Sequence, residues 1–370
     1  MLVYTVAIYI SILTGCFFSI FRLNLKRVLI NILQLPIWFL ALFTEAKSFQ
    51  ENPIIGNVHL NRMGLHVLRA RVANRLAKFR RLFLSRNISE IKQLDYNKNG
   101  FTQHFNFLNQ VDFEALKKEV FETIWLLREM RQGGTVTRRV FLNTGSLLGN
   151  CPQLHAFINH AELLSTLRYV AGIGGEPIFS IQAIFGEAND VQDPQTVPHA
   201  DTFHSNAKAW FFLEDVNEND CPFAYVRGSH LLTPQRLAWE KKQSIAAKHH
   251  PIIYHARGSF RALADDLLEM GLLAPEKMAV PANTLIVADM FGFHQRSISP
   301  NATCRVEIYA TLRRNPFLPW LGLDIFSIPY FKRRSGDLSV KWLTWLEKMS
   351  LGRMSWRPVG EGTIKEPVRS

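Results

Sequence analysis

Apolar positions repeat with two different periods along the chain, and the change between them indicates the kind of fold. Residues 111–132 and 152–172 repeat apolar positions at helical spacing, and the second stretch ends at Gly172. After residue 176, short runs rich in β-branched and aromatic residues are separated by Pro, Gly, Asn and Asp. Two helices followed by several short strands predict an α+β protein, with a β-sandwich or jelly-roll core and flanking helices.

The first 43 residues contain two apolar runs that carry almost no polar side chains. Residues 1–21 have no charge and are long enough to span a bilayer as a helix, and basic residues follow them. By the positive-inside rule this order predicts a membrane anchor with the rest of the chain on the cytosolic face. Residues 28–43 are shorter and contain Asn, Gln and Pro, so one span plus an interfacial segment is favoured over a two-span hairpin.

Positive charge is concentrated beside this apolar segment. Residues 60–87 hold eight Lys and Arg and no acid, with apolar residues at helical spacing from Leu65 to Phe83. This pattern is typical of a basic amphipathic helix in an anionic membrane interface. A helix packed on the folded domain with a solvated basic face is the alternative. Residues 337–349 predict another amphipathic helix within an aromatic and basic C-terminal stretch.

Overall charge and cysteine usage narrow the class of protein. The formal net charge is +12, from 43 Lys and Arg against 31 Asp and Glu, which favours an anionic partner. No nucleic-acid motif accompanies the basic residues, so we do not expect nucleic acid to be that partner. The four cysteines are far apart and form no CxxC pair, which disfavours a zinc finger or a disulfide framework.

The hexapeptide "HADTFH" brings three possible metal ligands close together. Side chains at i and i+2 of a strand face the same side, so His199 and Asp201 are expected to lie together. His204 would fall on the opposite face, where it is expected to contact a ligand residue or a substrate. One histidine and one carboxylate supply two thirds of the two-histidine, one-carboxylate set that binds Fe(II) and leaves three positions open. Alone, the motif is weak, because a surface histidine near an aspartate is common.

Two residues far along the chain strengthen the metal hypothesis. His294 follows a strand-like apolar run and a turn, 95 residues after His199. Arg305 lies eleven residues further on, inside the apolar run "CRVEIYAT", where a buried guanidinium needs an anion. A bidentate guanidinium suits the distal carboxylate of a diacid cosubstrate. An internal ion pair with Glu307 is the alternative.

The stretch "FFLEDVNENDCPFAYVRGSHLL" makes the pattern specific to a family. It resembles a turn and strand of the phytanoyl-CoA dioxygenase family of Fe(II)/2-oxoglutarate-dependent oxygenases. In that family an HxD motif, a GSH turn, a distal His and an Arg eleven residues later follow in this order. The resemblance covers about residues 100–316. The chain departs from it at Cys221, where Gly is usual, and at Arg227, where Pro is usual.

The resemblance implies a double-stranded β-helix, that is, a jelly-roll or cupin-like core. It implies that His199, Asp201 and His294 form the catalytic metal site and ligate Fe(II), with 2-oxoglutarate and O2 as cosubstrates. Arg305 would bind 2-oxoglutarate, and Gln182 matches a position where some members contact that cosubstrate. Because Asp201 is a carboxylate, hydroxylation of a C–H bond is favoured over halogenation.

These features predict four regions and a class of substrate. The regions are an apolar membrane segment (residues 1–50), a basic amphipathic region (51–94), a dioxygenase domain (95–318) and an aromatic, basic extension (319–370). The apolar and basic ends favour an anionic membrane surface and membrane lipids as partners. They favour an amphiphilic substrate: a lipid, an acyl chain or an anionic glycolipid such as the Kdo sugar of lipopolysaccharide. An acyl-CoA or a small soluble metabolite is the alternative, and a non-catalytic membrane adaptor is a third.

Overall fold

The computed structural model describes residues 34–142, 149–318 and 355–369 of a mixed helical and strand protein. Its helices are α1 (Val58–Arg62), α2 (Leu65–Leu84), α3 (Glu90–Asn99), α4 (Gln110–Glu122), α5 (Pro152–Ile158), α6 (Ala161–Ala171), α7 (Pro234–Ala246), α8 (Ile253–Ala256) and α9 (Ala264–Glu269). Its strands are β1 (Phe101–His104), β2 (Trp125–Gln132), β3 (Thr135–Phe141), β4 (Ile178–Gly186), β5 (Ala207–Phe212), β6 (Phe223–Tyr225), β7 (Glu276–Lys277), β8 (Thr284–Asp289), β9 (His294–Arg296), β10 (Thr303–Leu312) and β11 (Arg357–Gly362).

The strands form a large and a small antiparallel sheet. The large sheet has eight strands in the order β1-β8-β5-β10-β4-β3-β2-β11, and the small sheet has the order β7-β6-β9. Trp210 and Tyr309 of the large sheet and Phe223 and Tyr225 of the small sheet belong to one buried apolar cluster. The two sheets therefore face each other across this cluster, which is consistent with the predicted jelly-roll core.

The opposite face of the large sheet is covered by helices. Phe211 of β5 and Ile308 of β10 point away from the small sheet and pack with Phe113 and Leu116 of α4 and Leu167 of α6. Strand alternation explains this division, because Trp210 and Phe211 are neighbours in sequence and point to opposite faces. The helices thus bury one face of the sheet and leave the other face for a site.

The helix predicted over residues 111–132 is correct for the first half of that range and wrong for the second. Helix α4 ends at Glu122, and Thr123 is extended with φ −74° and ψ 141°. The remainder is strand β2, which lies between β3 and β11. Adjacent Leu126 and Leu127 fit a helical period as well as a strand, and pairing with two neighbouring strands decides between them. The helix predicted over 152–172 is interrupted between α5 and α6, and it ends as expected at Gly172, which has φ 63°.

The basic helix α2 packs on the folded domain, as the alternative prediction stated. Its buried and exposed faces are the reverse of those predicted. Arg69 donates to the carbonyls of Leu42, Thr44 and Ala46, and Arg81 donates to those of Tyr169 and Val170. The predicted apolar row is largely exposed, as at Leu68, Val72, Phe79 and Phe83. The arginines pack inward because main-chain carbonyls accept their hydrogen bonds, a pairing that hydrophobic periodicity does not report.

The prediction of a membrane-anchored chain with its catalytic domain on the cytosolic face requires correction. Within residues 34–142, 149–318 and 355–369, no helix has both the length and the apolar character needed to cross a bilayer. The apolar run 1–21, the start of the second run and the helix predicted at 337–349 lie outside the described residues. The proposed boundaries of the four regions stay a prediction.

Candidate metal centre

His199 and His294 lie side by side because their backbones pair directly. The amide of each donates to the carbonyl of the other at 3.0 Å, in an antiparallel bridge that extends the small sheet. The two imidazole rings lie 4.5 Å apart between centroids. A separation of 95 residues in sequence is therefore closed by one pair of main-chain hydrogen bonds.

Asp201 completes a cluster of three possible metal ligands. Its Oδ1 lies 3.8 Å from Nε2 of His199 and 3.6 Å from Nε2 of His294. The three ligand atoms lie within 4.8 Å of one another. Ala200, between the first two ligands, is buried on the other side, as strand alternation requires. The structure thus brings together the three residues predicted to bind metal.

Both histidines present the same nitrogen to this cluster. Nδ1 of His199 lies 2.8 Å from the carbonyl oxygen of Val197, and Nδ1 of His294 lies 3.0 Å from that of Gly292. A carbonyl only accepts, so each Nδ1 carries the proton and each Nε2 offers its lone pair. In the described part of the chain, Nε2 of His294 is buried without a hydrogen-bond partner. Two such nitrogens and one carboxylate oxygen fit a divalent metal of the Fe(II) class.

The electrostatics keep two of the three side chains, His199 and Asp201, in the protonation states that a metal needs. Burial, reinforced by the neighbouring His294, holds the pKa of His199 well below its usual range, so this ring is neutral at pH 7. Burial alone would raise the pKa of Asp201, but its neighbours, chiefly the ammonium group of Lys208, outweigh burial and hold that pKa well below its usual range. Asp201 is therefore ionised at pH 7.

Two lysines hold Asp201 in place. Nζ of Lys208 lies 2.6 Å from Oδ2, the other oxygen of the carboxylate. Nζ of Lys47 donates to the main-chain carbonyl of Asp201. Neither lysine was predicted. Lys208 precedes Trp210 by two residues on β5, so alternation could have placed it on the cavity face, whereas Lys47 gives no comparable signal.

The cluster lies in the wall of a cavity of about 330 Å³ between the two sheets. Arg305 lines this cavity, as predicted for a residue that binds a diacid. Its Nε also lies 2.7 Å from Oε2 of the buried Glu307, and its Nη1 donates to the carbonyl of Cys221. Arg305 therefore forms the internal ion pair with Glu307 that was the alternative prediction, and it also lines the cavity. The Nη2 edge is the part of the guanidinium that these two bonds do not use.

Gln182 also lines the cavity, where it links two charged groups. Its Nε2 donates to Oε1 of Glu307 at 2.7 Å, and its Oε1 accepts from Nε of Arg139 at 2.8 Å. These bonds orient the amide and connect Arg305, through Glu307, to Arg139. Contact between Gln182 and a cosubstrate stays a prediction.

Arg139 is a cavity residue that the sequence analysis missed. Its guanidinium lies between two aromatic rings, 4.3 Å from the centroid of Tyr309 and 4.6 Å from that of Trp356. Burial lowers its pKa. None of the ion pairs among the described residues includes Arg139, and its hydrogen bond to Gln182 is to a neutral amide. A desolvated, stacked guanidinium without a carboxylate is prepared to receive an anion.

His204, the third polar residue of the hexapeptide, lies apart from the cluster. Its Nδ1 bonds to the carbonyl of Ser205 at 2.9 Å, and it is not among the residues that line the cavity. Burial lowers its pKa to about 3, so it is neutral. Cys221, which stands where the resembled family has Gly, adopts a left-handed backbone with φ 52°. That turn presents the carbonyl that accepts from Arg305.

The chain has weak structural similarity to several non-haem enzymes. No protein-family model matches it, and no curated protein is significantly similar in sequence. It is similar to the epimerase SnoN in complex with Fe3+, alpha ketoglutarate and nogalamycin RO, with 18% identity, a TM-score of 0.39, and coverage of 60% of this chain and 82% of that chain. It is also similar to the non-heme alpha ketoglutarate dependent carbocyclase SnoK, with 17% identity, a TM-score of 0.39, and coverage of 62% and 85%.

A third similar structure is HygX from Streptomyces hygroscopicus with nickel and 2-oxoglutarate bound. It has 14% identity and a TM-score of 0.39, and the match covers 60% of this chain and 86% of that chain. The SnoN and HygX structures contain a metal ion with alpha ketoglutarate or 2-oxoglutarate, and SnoK is alpha ketoglutarate dependent. Membership of the phytanoyl-CoA dioxygenase family stays a prediction, and the function proposed below rests on the residues of this chain.

Proposed function

We propose that this protein is an Fe(II)/2-oxoglutarate-dependent dioxygenase with a double-stranded β-helix core, and that it hydroxylates a C–H bond. One observation carries the proposal. Two imidazole Nε2 atoms and one carboxylate oxygen converge within 4.8 Å, on the wall of a cavity that also contains Arg305. This donor set leaves three coordination positions open, which is what a bidentate cosubstrate and O2 require.

Each residue would have a distinct role in the reaction. His199, Asp201 and His294 would hold Fe(II), while the unused edge of Arg305 would bind the distal carboxylate of 2-oxoglutarate. When bound, the metal supplies the oxidative decarboxylation of 2-oxoglutarate to succinate and CO2 and the insertion of one oxygen atom into the substrate. Trp210, stacked on Phe223 at 4.2 Å between ring centroids, would exclude water from one side of the cavity.

The charges in the cavity support an anionic substrate. Three of its basic residues already have carboxylate partners: Lys208 with Asp201, Arg296 with Asp193, and Arg305 with Glu307. Among the described residues no carboxylate lies within ion-pair distance of Arg139, so it is the group that an incoming carboxylate or phosphate would neutralise. The anionic amphiphile predicted from the sequence, such as an anionic glycolipid, is our first candidate, and the exposed apolar row of α2 supports the apolar part of that choice. An acyl-CoA or another small anionic metabolite is the second.

Product analysis tests this function. Purified protein would be incubated in air with Fe(II), 2-oxoglutarate and either an anionic lipid extract or a pool of polar metabolites. We expect succinate formation with a matching product that gains one oxygen atom by mass spectrometry. His199→Ala should abolish succinate formation, and Arg139→Met should raise the KM for the substrate. Absence of succinate above the His199→Ala level, with Fe(II) bound, would refute the proposal.

A further inference from the structure

The two oxygens of the Asp201 carboxylate have different surroundings. Oδ1 faces the Nε2 atoms of His199 and His294 at 3.8 and 3.6 Å. Oδ2 pairs with Nζ of Lys208 at 2.6 Å. The carboxylate is therefore divided between a metal-binding oxygen and an oxygen already engaged by a cation.

We propose that Lys208 is a positioning residue that restricts Asp201 to binding the metal through one oxygen. This inference rests on the proposed function, because it assumes that His199, Asp201 and His294 hold a divalent metal. It adds the requirement that Asp201 bind the metal through a single oxygen. A carboxylate can bind a metal with one oxygen or with both, and the choice changes how many coordination positions stay open for reactants.

Hydrogen bonds fix the main chain of Asp201, so the orientation of its side chain is the part that can still change. The Asp201 amide donates to the carbonyl of Met290 at 2.9 Å, and its carbonyl accepts from Nζ of Lys47. With the backbone fixed on both sides, rotation of the carboxylate is the motion that could bring Oδ2 towards the metal. The ion pair with Lys208 opposes that rotation.

Lys208 is itself held firmly enough to act in this way. It lies within β5, where its backbone is paired with Ala288 of β8 on one side and Thr311 of β10 on the other. Its ammonium group lies 2.6 Å from Oδ2 of Asp201. The strand lies in the middle of the sheet and therefore fixes the origin of the Lys208 side chain.

The consequence concerns the position that O2 needs. On a six-coordinate metal, three protein ligands and the two donor atoms of 2-oxoglutarate would leave a single position, which would hold water before O2 binds. If Oδ2 also bound the metal, this position would be filled by the protein. Lys208, by engaging Oδ2, would keep it available.

The number of water ligands on Mn(II) tests the proposal without relying on turnover. Mn(II) replaces Fe(II), and the water-proton relaxation rate of the Mn(II)–2-oxoglutarate complex counts the waters bound to the metal. We compare Lys208→Met, Lys208→Gln and Lys208→Arg with the wild type. Lys365→Met is the matched control, because it removes a lysine that pairs with Glu214 away from the cavity. Urea unfolding establishes that each variant is folded.

We expect about one water ligand in the wild type, in Lys208→Arg and in Lys365→Met, and about none in Lys208→Met and Lys208→Gln. Lys208→Gln is a second removal variant, since its side chain is too short to reach Oδ2 and its polar end suits the partly exposed position. The affinity for Mn(II) should change by less than about 10-fold, whereas succinate formation with Fe(II) should fall about 10- to 100-fold in the two removal variants.

The outcomes separate this inference from the proposed function. Retention of the water ligand in a folded Lys208→Met or Lys208→Gln variant would overturn the inference, as would an arginine variant that behaves like methionine. A wild type that binds no Mn(II) would overturn both proposals. The expected pattern of waters in a protein that never forms succinate would support the role of Lys208 and refute the proposed reaction.

Discussion

Glu307 is a fully buried carboxylate whose charge balances that of Arg305, and its replacement by glutamine is predicted to affect both stability and cosubstrate binding. Its Oε2 accepts from Nε of Arg305 and its Oε1 accepts from Nε2 of Gln182, each at 2.7 Å. Glutamine has the same size, but one of its two terminal atoms is a donor. The Glu307→Gln variant therefore loses the charge and places one donor against another.

The size of the effect follows from burial. Removing one partner of a buried ion pair costs about 3–5 kcal/mol, because the other charge is left unpaired. Since glutamine keeps the shape and one hydrogen bond, we expect a loss of about 3 kcal/mol in the free energy of unfolding. The matched control is Glu276→Gln, which breaks the exposed pair between Glu276 and Arg227. That change should cost less than about 1 kcal/mol.

The cosubstrate should recover part of this loss. If the distal carboxylate of 2-oxoglutarate binds Arg305, it meets an uncompensated charge in Glu307→Gln and binds more tightly than in the wild type. A tenfold gain in affinity would add about 1.4 kcal/mol of stabilisation at saturating cosubstrate. Urea unfolding with Mn(II), with and without 2-oxoglutarate, measures both quantities. A variant as stable as the wild type, or one that 2-oxoglutarate stabilises no more than the wild type, would refute the reasoning.

Two further predictions concern the buried histidines and the turn at Cys221. Burial lowers the pKa of His204, His230 and His255 to about 3, so each is neutral in the folded state while its unfolded form gains a proton below about 6.5. Stability should therefore fall by about 2 kcal/mol per histidine in total on acidification from pH 7 to pH 5. Urea unfolding of wild type and His255→Phe should show a smaller loss in the variant, and equal losses would contradict this. Cys221→Gly removes the strain of a left-handed residue worth about 1 kcal/mol and keeps the carbonyl that accepts from Arg305. Calorimetry should find its affinity for 2-oxoglutarate unchanged, and a tenfold loss would contradict that role of the turn.

Strand alternation identified the site residues that are close together in sequence, but not those that come from distant parts of the chain. Strand alternation alone pairs His199 with Asp201 and sets His204 aside. In the structure His199 forms a β-bridge, whereas residues 201–204 are bends rather than strand. His294 was singled out by its position after a strand-like run and a turn, and its role as a ligand was implied by the family resemblance, since no periodicity reveals that its backbone pairs with that of His199. Lys47 and Trp356 approach the site from the two ends of the described chain, and contacts of that range leave no mark in the local sequence.

The fold shows the same limit. Short strands and the helix that ends at Gly172 follow from composition and backbone preferences. Strand β2 could not be predicted in this way, because its apolar residues fit both a helical and a strand period. Pairing with the flanking strands determines that it is a strand. The buried face of helix α2 was predicted wrongly for another reason. Its arginines pack inward on main-chain carbonyls, while Leu68 and Phe79 face outward. Hydrophobicity assigns a face only where apolar burial outweighs such hydrogen bonds.

The most direct test of the metal centre is anaerobic calorimetry of Fe(II) and 2-oxoglutarate binding to the wild type and to His294→Ala. His294 is the most informative residue to replace, because its Nε2 is buried without a partner among the described residues and it comes from a distant part of the chain. We predict about one Fe(II) per wild-type chain, metal-dependent binding of 2-oxoglutarate, and a loss of Fe(II) affinity of at least about 100-fold in the variant. Equal Fe(II) affinity in the two proteins, or binding of 2-oxoglutarate without metal, would contradict the account.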